Sequence, residues 1–309
     1  MHRYVIKRLL LFVPVIIGVS FIVYSILSLA PGDPARMIAG SEATHEDIER
    51  IRQEHGLNDP IVVQYARYMA KFARGDMGIS YMTGGSVFKL CLQRLPNTAA
   101  LAGISCLLTL IISVPLGIYS AIHQNTWRDN IAMVLAMLGV SIPVFWFGLL
   151  LIMLFSLYLG WLPSGGNTKP ISIILPSVTL GINMLAFTTR TTRSSMLDVI
   201  RQDYLMLARA KGVPEKKVIN KHALRNALIP IITSIGLEFG ILLGGAAMTE
   251  SVFAWPGLGR LMVDAINQRD IPLVTGCVII TAILVSFVAL LVDILYAFAD
   301  PRIKAQYSK

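Results

Sequence analysis

Six long apolar stretches organise the chain, at about 9–29, 97–120, 130–159, 172–189, 228–248 and 274–297. A helix of about 20 apolar residues crosses a hydrocarbon core, so each stretch predicts a membrane span. The third is overlong and holds Pro143, which predicts a tilted or kinked helix. The fourth carries Pro176 near its start, tolerated where neighbours satisfy the freed carbonyl. The first run, Leu9 to Leu29, exceeds the roughly 7–15 residues of a signal-peptide apolar core. It predicts an uncleaved span rather than cleavage after "LSLA".

Polar patterning interrupts the spans once at length, in residues 31–95. There "PGDP" ends the first helix through Pro31 and Pro34. "THEDIERIRQEHG" predicts a short helix with Thr44 as N-cap, Asp47 three residues on and Gly56 as its stop. "PIVVQYARYMAKFARG" predicts a second, with Pro60 in its first turn and Gly75 at its end. Apolar positions 61, 65, 68, 69 and 72 give that helix one face to bury, against the outer ends of the spans or an external partner.

Composition agrees with the pattern. The 309 residues are 55% hydrophobic and 15% charged, against about 25% charged in a soluble domain. The net charge of +9 needs no nucleic acid to explain it. With the N-terminus inside, the inner segments 1–8, 121–129, 190–227 and 298–309 hold 16 Lys and Arg, and the outer loops 160–171 and 249–273 hold 3. The positive-inside rule therefore predicts N-in and C-in. The long segment 31–95 balances 8 basic with 8 acidic residues and is placed outside. Basic residues are not interleaved with stacking aromatics, so nucleic acid is excluded as a partner. Cys91, Cys106 and Cys277 are scattered and suggest neither a disulfide framework nor a metal site.

The inner stretch "DYLMLARAKGVPEKKVINKHALRN", residues 203–226, mixes charge with apolar residues. Asp203 suits an N-cap, Lys211 complements a helix C-terminus, and Gly212 suits the left-handed position beyond it. Pro214 and Glu215 open a second helix. The result is a helix–Gly–helix elbow. Its first arm of about 8 residues is too short to hold in water, where about 12–15 are already marginal. Something must pack on it: headgroups, the chain's own spans, or the groove of a cytoplasmic partner. Most of its charges are of the kind that sets topology and touches anionic lipid.

The same stretch resembles the cytoplasmic coupling loop of bacterial ABC importer permeases, in the branch handling dipeptides, oligopeptides, glutathione and nickel. The general motif there is Glu-Ala-Ala, three residues, Gly; here Met206, Leu207, Ala208 and Gly212 align with it. The peptide branch is similar to "DYLMLARAKG" followed by "HALRNALIP". The likeness extends to "YVIKRLL", "PGDPAR", "GDMGIS", "RTTRSSMLDVIRQDY", "ESVFAWPGLGRLMVDAINQRDIPLV" and "LVDILYAFADPRI".

The resemblance implies an all-α integral membrane fold of six transmembrane helices, of the type I ABC importer permease kind, in the bacterial inner membrane. Its parts would be an inner N-terminus with the first span (1–30), a mostly helical outer segment (31–95), a five-span core with the inner loop 190–227 (96–300), and an inner tail (301–309). It implies a second, homologous permease subunit in a heterodimer, two cytoplasmic ABC ATPase subunits, and an extracytoplasmic binding protein. Asp203, Tyr204, Leu207, Ala208, Arg209, Ala210, Lys211, Gly212, Val213, Pro214 and Glu215 would couple to the ATPase. ATP and Mg2+ would act on those partners, with no catalytic site, metal or cofactor in this chain. The chain has no GxxxxGK[ST] phosphate loop, so an ATP motor must lie on another chain. The cargo implied is a dipeptide, short oligopeptide or glutathione, with nickel or a metal chelate as the alternative. A passive channel would need a filter signature and a membrane enzyme would need paired catalytic groups, and neither is evident.

Three features of the later spans bear on function. Gly236, Gly240 and Gly244 form a small-residue stripe for close packing, within the chain or at a seam with the second permease. Glu238 lies within the fifth apolar run, as a hydrogen-bonded structural carboxyl or a residue of the translocation pathway. Asp293, near the inner end of the sixth span, is expected to reach interfacial water or Arg302. Outside, Trp255, Pro256 and Gly257 form a tight turn, read as an interfacial anchor or an outer gate.

Overall fold

A computed structural model describes residues 2–29, 33–39 and 43–299. Helix α1 (His2–Leu29) is the first span. Outside follow α2 (Pro34–Ala39), α3 (His45–Glu54) and α4 (Ile61–Phe72). Thr44 and Asp47 form the expected capping box on α3. Gly56 and Gly75 have φ of +61° and +84°, the left-handed conformation that stops a helix. Pro60 is the N-cap of α4, one residue before the first turn expected for it. Tyr65 of α4 is buried against Phe21 and Tyr24 of α1, and its hydroxyl bonds the Ile17 carbonyl at 2.8 Å. The apolar face of α4 thus packs on the first span. Pro31, Arg302 and the tail 301–309 lie outside the described residues.

Helix α5 (Val87–Ile122) begins ten residues before its apolar stretch. The third span is not one kinked helix. It is α6 (Trp127–Ser141) and α7 (Val144–Leu151), the latter continued by a π-helical stretch Ile152–Tyr158, with a 100° bend between them. Pro143 causes the break: it pushes Ile142 to φ −91°, ψ 127°, and it cannot donate to a preceding turn. Helix α8 (Ile174–Ile200) runs eleven residues beyond the predicted end of the fourth span, so the basic inner segment starts as helix. The inner elbow is α9 (Asp203–Ala210), α10 (Glu215–Lys217) and a π-turn Val218–Ala223 leading into α11 (Leu224–Gly245). Two outer helices, α12 (Ala247–Val252) and α13 (Leu258–Asn267), precede the last span, α14 (Ile271–Ala299). Counting the bent pair once gives six candidate spans. The one extended pairing among the described residues is the isolated bridge Ile79 to Ser86.

Lipid is as apolar as a leucine, so helices in a membrane associate through close packing and polar contacts. The tightest pairing here is α5 with α8. A Cβ at Gly117 would overlap Thr192, and one at Gly181 would overlap the Thr109 hydroxyl. Gly236 meets Val292 of α14 in the same way, while Gly240 and Gly244 face Val285 more loosely. Gly236 and Gly240 are therefore packed within the chain, and Gly244 is exposed. Cys91 and Cys277, far apart in sequence, lie buried with sulfurs 3.6 Å apart.

On the inner side, Asp129 of α6 is 2% exposed and accepts both Nε and Nη2 of Arg193 on α8, at 2.7 and 2.6 Å. The Ser120 hydroxyl and the Asn125 amide complete its shell. Three helices are pinned there by one carboxylate. Arg193 remains 24% exposed, so Asp129→Ala is expected to cost about 3 kcal/mol, the low end for a broken buried pair. Thermal unfolding in detergent checks this, and adding Arg193→Met is expected to recover more than half of the loss.

Candidate functional site

The inner elbow is built as the residue types predict, with one change at its start. Gln202 is the N-cap of α9, and Asp203 is its first helical residue, making no capping hydrogen bond. Asp203 still lies where a negative charge favours the helix dipole. At the other end Gly212 takes φ +75°. The Gly212 amide donates to the Arg209 carbonyl at 2.9 Å and the Val213 amide to the Ala208 carbonyl at 3.2 Å. These two bonds make a Schellman cap, with Lys211 as C-cap. Arg209 then reaches across the elbow to Glu215, donating at 3.0 and 2.8 Å to its two oxygens. Those bonds raise the already high pKa of Arg209. Pro214 is the N-cap of α10.

Burial divides α9 into two faces. Leu205 is 0% exposed in a cluster with Ala121, Met196, Val218, Ile219, Ala223, Ala227 and Ile231. Ala208 and Val213 pack on the same cluster. The chain's own spans therefore supply the packing that an eight-residue helix lacks. The opposite face shows Tyr204, Met206 and Leu207 at 43%, 56% and 57% exposure, with Ala210 and Lys211 also exposed. Tyr204 is held by the Asn226 amide at 2.7 Å. Ala208, expected among the coupling residues, is partly buried and packs on the inward cluster rather than on the exposed face.

The outer turn differs more from expectation. Trp255 is 5% exposed and packs with Leu101, Leu180, Met184 and Leu243, so it is no interfacial anchor. Its Nε1 donates to the Asn97 carbonyl at 3.1 Å, and the Asn97 amide donates to the Pro256 carbonyl at 2.9 Å. Beneath the turn lies a residue that the sequence reading passed over, Glu250, fully buried. Thr98 donates to its Oε1 at 2.7 Å, and the Arg260 amide donates to its Oε2 at 2.8 Å. Arg260 is in the first turn of α13, where free amides and the helix dipole favour a carboxylate. An acidic residue seven positions before a Pro-Gly helix start was the available signal. Asp270, also fully buried, fastens the 76–86 loop by accepting from Ser80 at 2.5 Å.

Glu238 is half-buried on α11 and makes no hydrogen bond or ion pair with any described residue. It sits one turn beyond Ser234. Ser234, Thr233 and Leu237 of α11 and Phe187 and Thr191 of α8 line an open groove of about 380 Å3. Leu237, Ile241 and Met248 continue from it as an exposed apolar face.

Known proteins match along the whole chain. The family described as binding-protein-dependent transport system inner membrane component matches residues 113–305, and its N-terminal companion matches residues 1–102. The glutathione transport system permease protein GsiC of Escherichia coli (strain K12) is 43% identical over 98% of this chain and 99% of its own length. The oligopeptide transport system permease protein AppB of Bacillus subtilis (strain 168) is 42% identical over 98% of this chain and 100% of its own. A solved structure of the MetNI methionine ABC transporter in inward-facing conformations matches with TM-score 0.60 at 19% identity, over 68% of this chain and 96% of that one.

Glycine placement gives a test of the outer turn. A Cβ at Gly257 would overlap the Glu250 carboxylate, whereas Gly212 has open space around it. Gly257→Ala is expected to lower stability by about 2 kcal/mol through overpacking. Gly212→Ala is expected to cost about 1 kcal/mol through its left-handed φ alone. Thermal unfolding of the two variants side by side checks the order.

Proposed function

Because the chain belongs to the binding-protein-dependent transport system inner membrane component family, and so is a multi-pass permease subunit of an ABC importer, we propose that its cargo is a short peptide or glutathione. The observation supporting the cargo is the identity above 40% along nearly the full length of a glutathione permease and an oligopeptide permease. A titration of the cognate binding protein with dipeptides, longer peptides, glutathione and nickel tests it. Tight binding of nickel alone moves the assignment to a metal importer.

In this reading α9 is the handle of the motor. Its exposed Tyr204, Met206 and Leu207 enter a groove of an ATPase subunit, where ATP and Mg2+ are bound. Closure of two such subunits displaces α9. Leu205 passes the displacement to the inner ends of α5, α8 and α11, because it is buried among side chains of all three. The Schellman cap and the Arg209–Glu215 pair keep the elbow from absorbing the movement. This chain does no chemistry itself; it forms half of the path.

The other half is a second permease, a homologous subunit in a heterodimer. The face of Phe187, Leu237, Ile241 and Met248 is exposed and supports such a seam. The groove between α8 and α11, with Glu238 one turn above Ser234, would line the path. The turn of Trp255, Pro256 and Gly257 would form its outer rim, facing the binding protein.

Three outcomes follow. Leu207→Cys is expected to cross-link to the ATPase subunit in the assembled complex, and Leu205→Cys is not. Gly212→Val, strained by φ, is expected to leave ATP hydrolysis in place and abolish uptake; normal uptake would remove the elbow from the mechanism. Glu238→Gln is expected to leave the subunit's thermal stability unchanged, since no partner is lost, and to reduce uptake of a cargo bearing a free amine. Uptake assays in proteoliposomes with the complete complex measure the effects of Gly212→Val and Glu238→Gln.

A further inference from the structure

Two of the chain's three cysteines, scattered along the sequence, meet in space. Cys91 lies in the second turn of α5, and Cys277 six residues into α14. They are 186 residues apart, both are 0% exposed, and their sulfurs are 3.6 Å apart. We propose that this pair is a disulfide site, oxidised while the protein assembles, that joins the outer ends of α5 and α14.

The compartment is the first support. Both helices enter the bundle from the outer side. At 1.5 Å per residue, each cysteine lies within about 9 Å of the outer start of its helix. The space outside a bacterial inner membrane oxidises thiols, whereas the cytoplasm keeps them reduced. Cys106 is the internal contrast. It lies fifteen residues further along α5, about 22 Å deeper, out of reach of the other two sulfurs.

Packing is the second. A Cβ at Gly276 would overlap Val87, one turn before Cys91, so glycine brings α14 close against α5 right beside the pair. From there the sulfurs need to close by only about 1.5 Å to reach the roughly 2.05 Å of a disulfide. The surroundings are the third. Met77, Val87, Leu258 and Val274 belong to the same apolar cluster, and neither thiol has a polar partner among the described residues besides the other. Of two thiols, one can donate to its neighbour and the second is left without an acceptor. A disulfide leaves no donor unmet.

The oxidant is a second disulfide of the outer compartment, on a protein or a small molecule. The thiolate of one cysteine attacks it and expels a thiolate, leaving a mixed disulfide. The thiolate of the other then attacks the cysteine sulfur of that bond and expels the second thiolate. The protons of Cys91 and Cys277 end on the two departing sulfurs. The pair loses two electrons and the incoming disulfide gains them. Attack needs access, so full burial places this exchange before α14 closes on α5. The same burial then shields the finished bond from reductants. Asn97 and Thr98, about two turns below Cys91, hold the outer turn and Glu250, and the bond anchors that support to the last span.

The test uses the full-length chain in membranes of cells with an oxidising outer compartment. Free thiols are trapped with a maleimide in denaturant, and intact mass spectrometry counts the labels. The unreduced wild type is expected to carry one label, at Cys106, and the chain reduced in denaturant to carry all three. Cys91→Ser is expected to carry two without reduction, because Cys277 is released. Peptide mapping of the unreduced wild type is expected to find the peptides of Cys91 and Cys277 linked. Three labels on the unreduced wild type, or a link that includes Cys106, overturns the proposal. Reductant added to the folded protein in detergent is expected to leave the single label. Three labels from that arm would overturn a bond sealed during assembly.

Discussion

An eight-residue helix in water does not hold its own shape. That constraint governs the inner face of this protein. Helix α9 stays folded because Leu205 is buried among side chains of α5, α8, the π-turn and α11. The same burial makes α9 part of the bundle, so that a force on one is a force on the other. Its free face can then be apolar without cost to the fold, since that face is not what keeps it helical. Tyr204, Met206 and Leu207 are left exposed on that face. The Schellman cap at Gly212 and the bidentate Arg209–Glu215 pair fix where that face points.

Elsewhere the bundle is held by means suited to lipid. Apolar surface gives no reason for spans to associate in a membrane, so small residues and satisfied carboxylates take that role. Gly117 and Gly181 bring α5 against α8. Asp129 ties α5, α6 and α8 on the inside, Glu250 ties α5 to the start of α13 on the outside, and Asp270 ties the outer loop to the last span. Each carboxylate receives several donors, the condition under which a buried charge holds a structure rather than weakening it. Both ends of the bundle are thus tied by buried carboxylates, and a groove between α8 and α11 is open.

Much of this was legible along the chain. Hydropathy located the spans because about 20 apolar residues are needed wherever a helix crosses. The capping box at Thr44 and the left-handed Gly212 were legible because both depend on residues within one turn. What could not be read depends on direction or on distant partners. Hydropathy is blind to a 100° bend, so Pro143 marked the place but not the angle. Helix α8 continues to Ile200 because arginines are good helix formers and Arg193 finds Asp129, 64 residues earlier. Glu250 looked like an ordinary loop acid because Thr98 is 152 residues away. Trp255 looked interfacial for the same reason: the carbonyl it bonds belongs to Asn97. Site roles that rest on other chains left no local mark beyond an apolar face without a partner.

The central claim is that α9 and the inner end of α11 move as one body. Spin labels at Met206 of α9 and at an exposed position in the first turn of α11, such as Arg225, measure it in the assembled importer through the nucleotide cycle. The account predicts a constant distance between these labels with ADP and with ATP, while the distance from Met206 to its counterpart on the second permease changes. A changing Met206–Arg225 distance would mean that α9 swings on the Gly212 elbow, and would contradict it.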